Sequence, residues 1–327
     1  MPARATPLII DVDTGIDDAF ALLYACACPQ VELLGVATVD GNVDLDRATA
    51  NTRAVLALAR RADVPVWPGC SAPLLRTAKD ARRFHGASGL GYAELPEPAA
   101  KPPSVHATDA IIAAARARPR ALTLVATGPL TNIAAALLRD PQLPQQLGRF
   151  VLMGGAYRDG GNVTPTAEFN IWHDPEAARI VFRAFAAEGA APLVAVGLDV
   201  TRQTQLRPAD LVALKRRCER LPHGPEVGRF LDDSARHYFE TMEKQTGSRV
   251  FLMHDPLAVA AAIDPSLIAT QRVAVDVETT GELTVGMTVA DWRGAWRRPA
   301  NADVAIAVQA PRFIADFLEA MERLSRS

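Results

Sequence analysis

Two hydrophobic periodicities alternate along this chain of 327 residues. Short continuous apolar runs, typical of strands buried on both faces, are followed by segments whose apolar residues recur at helical spacing. The predicted strands cover residues 8–10, 31–38, 64–67, 121–126, 150–153, 192–198 and 301–308. Because strands that alternate with helices form parallel sheets, the pattern predicts an α/β fold.

The helical pattern is clearest between these strands. The predicted helices run from Ile16 to just before Pro29, over 44–61, 106–117, an alanine-rich segment ending at Arg139, 175–188, 257–263 and 311–324. The charged segment 205–250 predicts two or three further helices, some of them a cap over the sheet, with His237 and Tyr238 on solvated faces. The β-rich segments 271–277 and 284–290 predict a hairpin or a pair of edge strands.

These elements predict one architecture. We expect an open, mainly parallel, Rossmann-like sheet flanked by helices, with extra C-terminal strands and a helical cap region. No internal repeat or low-complexity linker divides the chain, so we expect a single domain over residues 1–327.

Composition narrows the class of protein. Hydrophobic residues make up 49% and charged residues 22%, a balance typical of soluble globular proteins. The net charge of −2 indicates neither a nucleic-acid partner nor an anionic membrane, and no apolar run is long enough to span a bilayer. The start of the chain lacks the apolar core of a signal peptide, and the four cysteines lack metal-ligand spacing. We therefore expect a cytoplasmic protein with reduced thiols.

Four carboxylates crowd the end of the first strand and the start of the first helix. They are Asp11, Asp13, Asp17 and Asp18. Carboxylates this close cannot all stay ionised unless a cation or a proton intervenes. First-turn helix capping explains one or two of them, but not four. With no His or Cys in the cluster, the pattern favours a hard cation, Ca²⁺ or Mg²⁺, or an acid/base site.

Two irregular segments carry further polar residues. Segment 68–104 is rich in proline and glycine, and we interpret it as a mobile flap that carries His85 over the site. Asn162, Glu168 and Asn170 are spaced along segment 154–172, where they could converge on sugar hydroxyls. Each of these residues alone is also compatible with an ordinary surface loop.

Two other sites have a functional and a structural interpretation. Asn42 follows the second predicted strand and offers a donor and acceptors at its end, although an ordinary turn asparagine has the same properties. His254 and Asp255 precede Pro256 at a predicted helix start, where Asp255 is either a helix cap, a metal ligand or both.

The motifs that carry these residues resemble those of one family, the calcium-dependent inosine–uridine-preferring nucleoside hydrolases. The resemblance covers nearly the whole chain. Its pieces are DVDTGIDDA at 11–19, DGN at 40–42, FHGASGLG at 84–91, ATGPLTN at 126–132, MGG at 153–155, NVTPTAEFN at 162–170, HDP at 254–256 and GELTVGMTVAD at 281–291. The family's commonest form has proline where this chain has Thr14, a residue that can still make the turn.

The resemblance implies a role for each matched residue. Ca²⁺ would be bound by Asp13, Asp18, Asp255 and the backbone carbonyl of Thr127. Asp13 would be the general base that takes the proton from the attacking water. His254 would be the acid for the leaving base, because histidine side chains ordinarily titrate near neutrality. The ribose would be bound by Asp17, Asn42, Asn162, Glu168, Asn170 and Asp255. Asp11 would support the cluster, Met153 would form an apolar wall beneath the sugar, and His85 would lie near the base.

The implied reaction is hydrolysis of a ribonucleoside to ribose and free nucleobase, with inversion at the anomeric carbon. The implied partner is the nucleoside itself, and the implied assembly is a homodimer or a homotetramer. Two alternatives stay open from the sequence. One is a nucleoside- or sugar-binding protein without catalysis. The other is a haloacid-dehalogenase-like phosphatase, because Asp11 to Thr14 resembles its nucleophile motif; a downstream lysine and a late acidic pair, which that family needs, are not evident.

Overall fold

The computed structural model of the protein describes residues 5–96 and 102–326. The strands within these ranges are β1 (Thr6–Val12), β2 (Val31–Thr38), β3 (Val66–Pro68), β4 (Thr123–Ala126), β5 (Arg149–Met153), β6 (Leu193–Val196), β7 (Gln205–Leu206), β8 (Phe251–Leu252), β9 (Ile268–Val273), β10 (Val275–Val277), β11 (Thr288–Ala290) and β12 (Ala302–Val308). The α-helices are α1 (Ile16–Ala27), α2 (Leu45–Leu58), α3 (Arg82–His85), α4 (Ala107–Ala117), α5 (Thr131–Arg139), α6 (Leu143–Gln146), α7 (Phe169–His173), α8 (Pro175–Ala184), α9 (Leu198–Thr201), α10 (Pro208–Cys218), α11 (Gly224–Thr246), α12 (His254–Ile263) and α13 (Ala310–Arg326). A short 3₁₀ helix covers Pro265–Leu267.

Eight of these strands form the central sheet, in the order β3-β2-β1-β4-β5-β6-β12-β9. All neighbours are parallel except β9, which pairs antiparallel with β12. The chain moves outward from β1 to β2 and β3, and then returns to the other side of β1 with β4. The strand order therefore reverses between β1 and β4, and ligands bind at such reversals, outside the carboxyl ends of the strands.

Helices cover both faces of this sheet. Successive residues of a strand point to opposite faces, so Ile10 packs with α1, α12 and α13, whereas Ile9 packs with α4, α5 and α8. On the first face the rings of Phe20 and Phe317 stack with centroids 5.8 Å apart. The carboxyl edge of the sheet is thus fixed between two hydrophobic layers. The predicted fold class is confirmed, including the extra C-terminal strands and the helical region.

The C-terminal strands differ from the prediction in two respects, one of which is that the predicted strand 284–290 is shortened to β11. The predicted strand 271–277 is two strands, because β9 joins the central sheet and β10 pairs antiparallel with β11 in a separate ribbon. Asn301 causes the break, since its side chain accepts from Val275 N at 2.8 Å and donates to Val275 O at 2.9 Å. A side-chain amide thereby satisfies the backbone groups that a neighbouring strand would otherwise pair.

The segment 205–250 contains two long helices, α10 and α11, as predicted. The expectation of solvated faces is wrong for Tyr238, which is buried with its ring edge-on to Phe251, at a centroid distance of 4.5 Å. His237 is half-buried. The apolar face of α11 packs on the core. Tyr238 therefore lies inside the protein, and His237 lies at its surface.

The segment after β3 is tied to α11. Tyr92 donates from its hydroxyl to Glu240 at 2.7 Å, and the Arg236 guanidinium lies over the Tyr92 ring at 4.9 Å. Residues 97–101 of the predicted flap lie outside the described residues, and its mobility stays a prediction. The single-domain prediction likewise stays a prediction. Within the described part of the chain, no helix is long and apolar enough to cross a membrane.

Candidate active site

The turn from β1 into α1 places the first carboxylates. Asp13 follows the last residue of β1, and Gly15 caps α1, where its N–H donates to Asp18 Oδ2 at 3.0 Å. The next N–H, of Ile16, donates to His85 Nδ1 at 3.0 Å. A Cβ on Gly15 would collide with His85 Nδ1. Glycine at this position therefore lets the histidine pack directly on the helix N-terminus.

The loop after β2 holds the Asp13 carboxylate. Asn42 donates from its backbone N to Asp13 Oδ2 at 2.6 Å and from its side-chain amide to Oδ1 at 3.2 Å. The same amide reaches Asp18 Oδ2 at 3.2 Å. Any Cβ on Gly41 would collide with Asp13 Oδ2. The predicted general base is thus fixed on both oxygens by a loop that encloses it.

The loop after β4 brings a third element to the cluster. Thr127 donates from Oγ1 to Asp18 Oδ1 at 2.7 Å, and its backbone carbonyl accepts from Asn170 Nδ2 at 2.6 Å. The Asn170 amide also donates to the carbonyl of Met153 at 3.1 Å. Thr127 directly follows β4 and Met153 ends the neighbouring strand β5, so Asn170 links segment 154–172 to the carboxyl edge of the sheet.

Glu168 anchors the same segment. It caps α7, and its carboxylate accepts from the backbone N–H groups of Gly155, Asn170 and Ile171 at 2.9–3.1 Å. Asn162 is exposed and accepts from Phe169 N at 2.9 Å, so in this structure its side chain holds the loop.

Asp255 completes a group of three carboxylates. It lies in the first turn of α12, and one oxygen each of Asp17, Asp18 and Asp255 lie within 4.8 Å of one another. All three residues are buried. Asp17 Oδ1 has no hydrogen-bond partner, although it is inaccessible to solvent. Asp13 is not one of the three, so the structure adds Asp17 to the residues that can hold a metal ion.

Burial dominates the electrostatics of these carboxylates. The pKa values of Asp11 and Asp17 are both raised to about 7, chiefly by desolvation, and the charge of Asp18 contributes to the rise at each residue. The pKa values of Asp13 and Asp255 are also raised, first by burial and then by neighbouring aspartates. A buried, all-oxygen group with an unpaired carboxylate oxygen has the donors and the charge that a hard cation requires. The residues present therefore fit a metal site.

Two histidines lie beside the carboxylates. His254 Nδ1 is 2.7 Å from Thr201 Oγ1, and His85 Nδ1 is 3.8 Å from Asp17 Oδ1. Burial, with a smaller effect of Arg202, lowers the pKa of His254 to about 4. Both rings are therefore neutral at pH 7, because burial also lowers the pKa of His85, to about 3. The neutral-range titration expected of His254 is absent in this environment.

Sequence reasoning missed Asn132. This buried residue donates from Nδ2 to Asp11 Oδ1 at 2.7 Å and to the Thr38 carbonyl at 2.9 Å, and it accepts from Cys70 N at 2.7 Å. It thereby joins β1 to the ends of β2 and β3. Its position at the end of the ATGPLTN motif was the available signal. The functional roles of the predicted site residues stay predictions.

A mainly parallel sheet whose order reverses beside a buried carboxylate cluster defines an α/β enzyme with a candidate metal site. The family model of the inosine-uridine preferring nucleoside hydrolases matches residues 8–315. The chain belongs to this family, and it is a hydrolase of the ribonucleoside N-glycosidic bond. The family match excludes the alternative of a haloacid-dehalogenase-like phosphatase.

Individual relatives match over nearly their whole length. The inosine-uridine preferring nucleoside hydrolase of Crithidia fasciculata is 39% identical, over 97% of this chain and 98% of that protein. The non-specific ribonucleoside hydrolase RihC of Salmonella typhi is 41% identical, over 94% of each. Among solved structures, the purine-preferring ribonucleoside hydrolase of Gardnerella vaginalis superposes with a TM-score of 0.90 at 34% identity, over 98% of this chain and 99% of that chain.

Proposed function

We propose that this protein is a Ca²⁺-dependent nucleoside N-ribohydrolase in which Asp13 is the general base. The observation that carries the proposal is the buried carboxylate cluster at the strand-order reversal, in which Asp17 Oδ1 has no hydrogen-bond partner. Ribose release from nucleosides, measured with and without chelator, tests it.

The cation would be bound by Asp13, Asp18, Asp255 and the Thr127 carbonyl, with Asp17 as a further candidate. An all-oxygen set with several carboxylates favours Ca²⁺ over Zn²⁺. When bound, Ca²⁺ would offset the repulsion among the carboxylates and make a water molecule more acidic. Thr127 and Asn170 support this assignment, because their hydrogen bond fixes the carbonyl at the edge of the group.

Asp13 would accept the proton of the attacking water. Asn42 holds both Asp13 oxygens, so the carboxylate is oriented before substrate arrives. The reaction would pass through an oxocarbenium-like ribosyl cation, whose positive charge the surrounding carboxylates stabilise. Direct attack by water, without a covalent intermediate, would invert the anomeric carbon.

The ribose hydroxyls would be bound by Asp17, Asn42, Asn162, Glu168, Asn170 and Asp255, and Met153 would lie beneath the sugar. The nucleobase would leave beside His85 and His254. Since His254 is neutral at pH 7, it would stabilise the departing base by donating a hydrogen bond from its ring. We also propose a cytoplasmic location, a role in nucleobase salvage, and a homodimeric or homotetrameric assembly. The free state of all four cysteines supports a reducing compartment.

The raised carboxyl pKa values predict how Ca²⁺ stabilises the protein at different pH values. A carboxyl with a folded-state pKa of about 7 favours the folded state below its unfolded-state pKa of about 4, and this stabilisation is lost as the pH rises through 7. Because Ca²⁺ binds the ionised carboxylates, it should restore stability mainly at high pH. With Ca²⁺ at a hundred times its Kd at pH 8, we expect a thermal shift of about 5 °C at that pH, and less than half of that shift at pH 5.5 with the same Ca²⁺ concentration. Potassium chloride at matched ionic strength is the control. A shift that is equal or larger at pH 5.5 would contradict this electrostatic account.

His254→Ala should slow hydrolysis most for substrates whose leaving group needs a hydrogen bond to depart. We expect kcat for inosine to fall by about tenfold to a hundredfold, because the purine anion loses a hydrogen bond. The loss for p-nitrophenyl riboside, whose leaving group departs unaided, should stay within about threefold. Steady-state kinetics on both substrates provide the comparison. Equal losses on the two substrates would remove His254 as the group that assists departure of the base.

A further inference from the structure

His173 and Asp40 form a buried polar contact between two segments of the proposed site. His173 Nε2 lies 3.1 Å from Asp40 Oδ2, although the two residues are 133 positions apart in the sequence. The exposed fraction of the side chain is 1% for the histidine and 11% for the aspartate. An ionised carboxylate only accepts hydrogen bonds, so the ring donates from Nε2.

Packing alone does not account for a histidine at position 173. Its Nδ1 atom is inaccessible to solvent and has no hydrogen-bond partner among the described residues. An unpaired buried polar atom lowers stability, and an apolar ring of similar size would avoid that cost. The ring also packs against Phe169, with centroids 5.6 Å apart, a contact that an apolar ring would keep. The hydrogen bond to Asp40 is the contact that an apolar ring could not replace.

Asp40 begins the loop that encloses the proposed general base. The next residue is Gly41, on which a Cβ would collide with Asp13 Oδ2. Asn42 follows, and its backbone N–H donates to the same oxygen at 2.6 Å. Both contacts lie within two residues of Asp40, so the position of Asp40 affects how the Asp13 carboxylate is held.

His173 belongs to a helix that has its own anchors. It is the last residue of α7, whose first turn is capped by Glu168 on three backbone N–H groups. Asn170 of the same helix donates to two carbonyls at the edge of the sheet, and the residue after His173, Asp174, caps α8. These bonds do not involve Asp40, so α7 is a fixed support to which the loop is attached.

We propose that His173 is a positioning residue for the general base, acting through its hydrogen bond to Asp40. This inference rests on the proposed function, in which Asp13 accepts the proton of the attacking water. The bond fixes loop 40–42 against α7, and with it the position of the base relative to Asn170, a proposed ribose ligand. Water attack requires the base and the sugar to be held in one geometry, so loss of the bond should slow the reaction itself.

Substitutions at both ends of the bond test this assignment. His173→Phe keeps a ring against Phe169 and removes the donor. Asp40→Ala removes the acceptor, whereas Asp40→Asn keeps one on a side chain of the same size. His223→Phe is the matched control, because His223 is also buried and donates to the carbonyl of Leu58, at the far end of α2 from loop 40–42. Steady-state kcat and KM are measured for inosine, uridine and p-nitrophenyl riboside, with a melting curve for each protein.

We expect His173→Phe and Asp40→Ala each to lower kcat by about tenfold on all three substrates, since the base acts on water and not on the leaving group. KM should change by no more than about threefold, because the proposed ribose ligands on α7 keep their anchors. The double variant should lose little more than either single variant, and Asp40→Asn should stay within about threefold of the wild type. His223→Phe should lower the melting temperature and leave kcat within about twofold.

Wild-type kcat in a folded His173→Phe protein would overturn the assignment, and so would losses that add fully in the double variant or a loss confined to inosine. If His173→Phe does not fold, equal kcat values in Asp40→Ala and Asp40→Asn would overturn it instead. Asp13→Ala separates this assignment from the proposed function. Slow turnover in Asp13→Ala with wild-type kcat in His173→Phe would remove this assignment alone, whereas full turnover in Asp13→Ala would overturn the proposed role of Asp13 and this assignment together.

Discussion

Asp13→Ala is expected to lower kcat for every ribonucleoside by about 10³-fold or more while leaving the fold intact. The carboxylate is held on both oxygens by Asn42, beside Asp18 and away from solvent. This preorganisation suits a base that must accept a proton in a single geometry. Removing it leaves the attacking water without a proton acceptor. Discontinuous measurement of ribose release, with circular dichroism to verify folding, gives the result.

Asp140→Ala is the matched control for this prediction. Asp140 is also a buried aspartate, but it ends α5 and is paired with Arg116 and Gln146, remote from the carboxyl edge of the sheet. Its loss should reduce the melting temperature and leave kcat within about twofold. A folded Asp13→Ala protein with wild-type turnover would show that another group accepts the proton.

Asp255→Ala is expected to abolish both Ca²⁺ binding and turnover. Asp17 and Asp18 belong to α1, whereas Asp255 belongs to α12. Removing Asp255 therefore removes the carboxylate that α12 contributes to the acidic group. We expect the Ca²⁺ Kd to rise by at least about a hundredfold, since loss of a charged ligand costs several kcal/mol. Turnover at a fixed Ca²⁺ concentration should fall by about 10³-fold or more. Calorimetric Ca²⁺ titration and ribose release on the same preparation measure the two effects.

Asp264→Ala tests whether these effects are specific. Asp264 lies at the other end of α12, where it caps the 3₁₀ helix and pairs with Arg312. Both Ca²⁺ affinity and kcat should be unchanged in this variant. Asp255→Ala protein that binds Ca²⁺ as tightly as the wild type would exclude Asp255 from the metal ligands.

The hydrophobic pattern predicted the parts of the fold that depend on continuous sequence. The apolar run ending at Asp11, the break at Gly15 and the helical spacing from Ile16 together predict the β1–α1 turn, because strand, turn and helix are local. The confirmed positions of β2, β4, β5, β6 and β12 follow from the same reasoning. The parallel order of these strands then brings Asp13, Asn42 and Thr127 to one edge.

Contacts between segments that are far apart in the sequence could not be predicted from the local hydrophobic pattern. The strand over 271–277 was expected to be continuous because its composition is continuous, whereas the break depends on Asn301, far along the chain. Tyr238 was expected on a solvated face because its neighbours in sequence are charged, but its own ring packs on Phe251. The low pKa of His254 was not predicted for the same reason. It results from burial, and burial depends on which distant segments pack around the residue.

The most direct test of the central claim is reducing-sugar release from inosine, adenosine, guanosine, uridine and cytidine, before and after exhaustive dialysis against a chelator. We predict ribose release from at least one nucleoside, loss of that release when the metal is removed, and recovery when Ca²⁺ is added back. The same experiment ranks the bases. Undiminished activity in metal-free protein would contradict the proposed role of Ca²⁺. No ribose from any nucleoside, with Ca²⁺ bound, would contradict the hydrolase itself and favour a nucleoside-binding protein without catalysis.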